Sequence, residues 1–125
     1  MLKKGLLEEV KRDIEKNRIN RREIEKYGVL QDFLDNIPSQ YLDLVALKFD
    51  ERCDSYALFL NNVKLTYLDL IEYVSYEVND KFNKKIEFED SECEVITTIE
   101  FIRNTNKFRV CDHNVLGWKE YELEN

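Results

Sequence analysis

The sequence predicts an α+β fold: N-terminal helices, then a central amphipathic helix packed on a mainly antiparallel sheet that ends in a C-terminal β-meander. Three observations predict it. Apolar residues recur at threes and fours through the first forty residues and again over 66–82, later stretches alternate at period two, and Asn and Asp cluster between them. With 125 residues, 43% apolar and 36% charged, the chain has the size and hydrophobic content of a single domain, 1–125.

Leu2, Leu6, Val10 and Ile14, with Leu7 beside them, form one apolar stripe and predict a helix over about 2–17. Asn20 and Glu23 suit a capping box for a short helix over about 21–27, which Gly28 would close in the left-handed conformation. Val29, Leu30, Phe33, Leu34 and Ile37 then make another amphipathic turn or two, stopped by Pro38. Residues 1–37 are thus read as a helical, basic part.

From Tyr41 the pattern changes. Leu42 to Phe49 and Ser55 to Leu60 flank the polar run Asp50 to Asp54, which predicts a hairpin, with a helix as the alternative for its first arm. Thr66 with Asp69 marks a helix start, and Leu68, Ile71, Ser75, Val78 and Phe82 continue it at threes and fours, so the central helix is placed at about 66–82. Strands are expected at about 85–89, 94–103, 107–112 and 117–123, completing an acidic, β-rich body over 41–125.

Charge is divided unevenly. Residues 1–28 carry nine Lys or Arg against six Asp or Glu, whereas 29–125 carry ten against twenty, giving −7 in all. Three Gly and one Pro leave no material for a Gly-rich phosphate loop or a flexible linker. No apolar run approaches the roughly 20 residues of a membrane span, and Glu8 and Glu9 interrupt any export signal, so no membrane partner and a cytoplasmic location are expected. Cys53, Cys93 and Cys111 are odd in number and unpaired in spacing, which fits a reducing compartment.

An enzyme needs convergent groups, and the sequence offers few. His113 is the sole histidine; on a strand it would share a face with Cys111, yet no nucleophile motif surrounds the two. Three Cys and one His match a zinc ligand set, but only Cys111 and His113 are close in sequence. No catalytic residue, metal or cofactor is therefore assigned.

Surface recognition is the better-supported reading. Glu87, Glu89, Asp90 and Glu92 cluster, Glu120, Glu122 and Glu124 alternate on one strand face, and Tyr73 and Trp118 supply the rigid amphipathic rings common in interface hot spots. These residues are the candidate binding set. The expectation is a small acidic, non-enzymatic binding protein that engages and inhibits a protein partner with a basic groove. Inhibitors, immunity proteins and phage anti-defence proteins share this size and charge, and eleven Asn beside two Ala fit an AT-rich phage or bacterial genome.

Two alternatives stand. One is a carboxylate-dependent enzyme or metal-binding domain built on the same acids. The other is a nucleic-acid-binding regulator using Lys11, Arg12, Lys16, Arg18, Arg21, Arg22 and Lys26 of the N-terminal helices, disfavoured because Asp32 and Asp35 occupy the helix that would read bases.

Overall fold

A computed structural model describes residues 27–78, 83–115 and 117–123. The architecture is mostly β, with two antiparallel sheets and, among the described residues, one α-helix, α1 (Tyr27–Asn36). This corrects the α+β expectation of a central helix packed on a sheet. The helices predicted at about 2–17 and 21–27 lie, up to residue 26, outside the described residues.

The described residues fall into two compact units divided between Ile71 and Glu72. In the first, α1 buries Leu30, Phe33 and Leu34, with Ile37 buried just past its end, the stripe at spacing three and four that predicts a helix. Gly28 sits inside this helix and not at a left-handed stop. Ile37 N–H still donates to Phe33 O at 3.2 Å before Pro38 ends the run.

A 3-10 turn (Ser39–Leu44) leads into a meander of β1 (Val45–Asp50), β2 (Ser55–Leu60) and β3 (Val63–Tyr67). Asn61 and Asn62, both with positive φ of 49° and 65°, form the two-residue connection between β2 and β3. One sheet face buries Val45, Leu47, Tyr56, Leu58 and Leu60. The other carries Lys48, Asp50, Phe59, Lys64 and Tyr67.

Where a helix was expected over 66–82, β3 ends at Tyr67, a 3-10 turn spans Leu68–Leu70, and β4 runs Tyr73–Val78. The Thr66 cap does not form: Tyr67 precedes the turn, with no side-chain capping bond. Residues four apart share a face in a strand as well as in a helix, so Val74 and Val78 fit both periods. Tyr73, Val74, Tyr76 and Val78 are β-branched or aromatic, and pairing of β4 with β5 decides between the two.

The second unit is a five-stranded antiparallel meander: β4, β5 (Asn83–Glu89), β6 (Val95–Ile102), β7 (Lys107–Asp112) and β8 (Trp118–Glu122). Ile86, Phe88, Ile99, Phe101, Phe108 and Val110 occupy one face and are all buried. At about 1.5–3 kcal/mol for each large apolar side chain, this face dominates the unit's stability. Lys84 shares it opposite Phe101, and burial pushes its pKa below the usual lysine value.

Candidate functional site

The opposite face of the five-stranded sheet is polar, and strand register determines which residues meet there. Reading across the strands, one row is Glu77, Lys85, Glu100, Arg109 and Glu120, so the charge changes sign at every step. Opposite charges on facing positions stabilise a pair by roughly 0.2–1 kcal/mol, and like charges oppose it. The neighbouring row is Ser75, Glu87, Thr98, Cys111 and Trp118.

At the centre of the face, Arg109 donates from Nε to Glu100 Oε1 at 2.7 Å, and its Nη2 stands 2.6 Å from the same oxygen in an ion pair. Its guanidinium carbon lies 4.3 Å from the centroid of the Trp118 ring. Glu100 is buried while Trp118 is 45% exposed, so the pair supports an aromatic group that faces solvent. Toward the edges, Lys85 reaches Glu77 at 3.6 Å and Glu87 at 3.9 Å, and Lys107 reaches Glu120 at 3.7 Å.

The candidate residues sort clearly. Tyr73, Glu87, Glu89, Trp118, Glu120 and Glu122 share this one face, with Tyr73 on the first strand and Trp118 on the last. Four interstrand gaps of about 4.8 Å separate those two rings by roughly 19 Å. Among the described residues, Glu89 and Glu122 have no cationic partner, so their charge is directed outward. Glu124 lies outside the described residues.

Asp90 and Glu92 belong instead to the turn between β5 and β6. Asp90 Oδ1 accepts from the backbone N–H of Glu92 at 2.9 Å and of Glu94 at 3.0 Å, so its carboxylate organises the turn. Glu92 is exposed at that turn. Cys93 there takes a positive φ of 62°.

Cys111 is buried in the row beside Thr98 and Trp118. His113 lies one residue beyond β7 and places Nε2 2.8 Å from Thr98 Oγ1, while the hydroxyl also stands 3.5 Å from Glu87 Oε2. When Thr98 donates to Glu87, the imidazole nitrogen facing it carries a proton. Among the described residues, no three His, Cys, Asp or Glu side chains gather closely enough to hold a metal ion. Nor is any described helix long and apolar enough to cross a membrane.

Glu100 and Arg109, the centre of the face, were missed as candidates. Their signal was present: each is a lone charge between apolar neighbours, Ile99 and Phe101 for one, Phe108 and Val110 for the other. Fold and face together define a mostly-β protein that displays an acidic sheet surface edged by aromatic rings. No protein-family model, curated protein or solved structure matches the chain.

Proposed function

We propose that this chain is a non-enzymatic binding protein whose five-stranded sheet docks its acidic face on a basic surface of another protein and inhibits that protein by occupying it. The observation that carries the reading is the placement of Tyr73, Glu87, Glu89, Trp118, Glu120 and Glu122 on one face. Exposed rings, 54% for Tyr73 and 45% for Trp118, supply apolar area, and the unpaired carboxylates supply steering toward positive charge. A face roughly 19 Å wide suits an interface at the lower end of the size range, where association depends strongly on salt.

The test is affinity capture from source lysate with wild type and with the quadruple variant Tyr73→Ala, Trp118→Ala, Glu89→Lys, Glu122→Lys. The expected result is one stoichiometric basic protein, recovered at low salt, released at molar salt and absent with the variant. Equal recovery by the variant, or recovery indifferent to salt, would refute the docking face. If the full chain instead shifts a nucleic-acid probe and loses the shift on neutralising Arg18, Arg21 and Arg22, the regulator reading replaces it.

A further inference from the structure

The first unit carries a separate feature on the solvent side of β1–β3: an open cavity of about 430 Å³. Small-molecule sites commonly fall between roughly 300 and 1,000 Å³. The hollow exists because Ala57, on the central strand, stands between the longer side chains of Lys48 and Tyr67 in the same cross-strand row.

A bulge completes it. The pairing moves from Leu58 opposite Thr66 to Phe59 opposite Lys64, leaving Leu65 as the extra residue. Lys64 and Tyr67, three apart, are thereby brought to the same face. Lys64 Nζ lies 4.0 Å from the Tyr67 ring centroid and donates to Tyr67 Oη at 2.9 Å. Lys48 Nζ similarly lies 4.6 Å from the Phe59 ring. Both ammonium groups are thus tethered to the apolar lining.

The charge balance favours an anion. Tyr67 Oη donates to Asp50 Oδ2 at 2.9 Å, and Arg52 binds the same carboxylate through Nε at 3.2 Å and Nη2 at 3.1 Å. Hydrogen bonds from Arg52 and then Tyr67 hold Asp50 well below the usual carboxylate pKa, so at neutral pH it is ionised and its charge is satisfied internally. Among the described residues, neither Lys48 nor Lys64 has a carboxylate partner. Arg52, with its side chain 87% exposed, retains Nη1 for another acceptor. Glu51, on the hairpin turn, is the one opposing charge left in the lining.

We propose that this cavity binds a small phosphate monoester of mononucleotide class, its dianion accepting from Lys48, Lys64 and Arg52 and its flat body resting over Ala57 beside Phe59 and Tyr67. With Arg52 paired to Asp50 the lining is net +1, Lys48, Lys64 and Arg52 against Asp50 and Glu51, and its three cationic groups offer a donor to each terminal oxygen of a phosphate, one more than a carboxylate has. The apolar floor gives affinity to a ring that bare phosphate lacks.

Titration calorimetry of the full chain with AMP, adenosine and inorganic phosphate tests the assignment. AMP should bind tightest, phosphate more weakly and adenosine weakest. Lys48→Met and Lys64→Met keep the apolar stems and should each weaken AMP by roughly tenfold or more, the loss of one charge-assisted hydrogen bond. Ala57→Leu fills the hollow without altering charge and should weaken AMP at least as much, with circular dichroism confirming an unchanged fold. Glu51→Gln should tighten AMP. Adenosine binding as well as AMP, phosphate binding as well as AMP, AMP affinity unchanged in all three weakening variants, or no heat at millimolar AMP would each overturn it.

Discussion

Replacing Arg109 with Ala examines the centre of the acidic face and separates one consequential ion pair from several weak ones. Arg109 makes a short hydrogen bond and a close ion-pair contact to one oxygen of Glu100, whose side chain is only 11% exposed. Hydrogen bonds to charged groups contribute about 1.5–3 kcal/mol, and the lower half of that range applies because the Arg109 side chain is 38% exposed. The stacking on Trp118 adds about 0.5–1 kcal/mol. Truncation also leaves the Glu100 carboxylate without its cation in a buried setting, so the expected loss is about 2–4 kcal/mol. Lys85→Ala is the internal control: its pairs are long, 3.6 and 3.9 Å, beyond hydrogen-bonding distance, so about 0–1 kcal/mol is expected. Urea unfolding of both variants at low and at molar salt reads the difference. A cost for Arg109→Ala no larger than that of Lys85→Ala, or one that disappears at high salt, would refute the view of Glu100 and Arg109 as a shielded pair. A cycle with Glu100→Gln should give a coupling of about 0.5–3 kcal/mol.

Two further outcomes follow from local geometry. Because Asp50's folded pKa lies below its unfolded value of about 3.9, its stabilisation is present above that pH and is lost as pH falls toward the folded pKa. Asp50→Asn should therefore flatten the decline of melting temperature from about pH 5 downward, and an unchanged slope would show that the Arg52 and Tyr67 bonds do not couple to folding. Asn62→Val forces a β-branched residue into φ 65° at the two-residue turn and should cost about 1–2 kcal/mol by chemical denaturation, whereas Asn62→Gly should be nearly neutral.

What the sequence made legible was short-range. The polar run 50–54 between apolar arms is a hairpin, Asn61-Asn62 is a turn, and α1 follows the Leu30, Phe33, Leu34, Ile37 spacing. The segment 66–82 was misread because residues four apart satisfy both periods, and only partnership with β5 distinguishes them. Placement of the acids on one face required register, which depends on turn length and on irregularities such as the shift between Phe88 and Glu89 opposite β6. The cavity was invisible for the same reason: Lys64 and Tyr67 are on opposite faces of a regular strand, and a single extra residue unites them. Sequence patterns encode which residues face solvent far better than which of those residues are neighbours.

The row of alternating charge also separates folding from recognition. Lys85, Glu100 and Arg109 are interior to the sheet, and each has the opposite sign on both adjacent strands. Sliding one strand by two residues would keep the apolar face buried, so hydrophobic patterning alone does not forbid it, but such a slip would break up this ladder. Those three charges therefore act chiefly on register. Glu89 faces Tyr73, and Glu122 faces Lys107, whose ammonium bridges to Glu120 instead, so neither carboxylate makes an ion pair among the described residues and both remain for a partner. Interior substitutions should change unfolding midpoints with modest effect on the salt dependence of binding, and substitutions at Glu89 and Glu122 should do the reverse. If both sets moved stability and binding together, the face would be a structural ladder throughout and docking would have to use another surface.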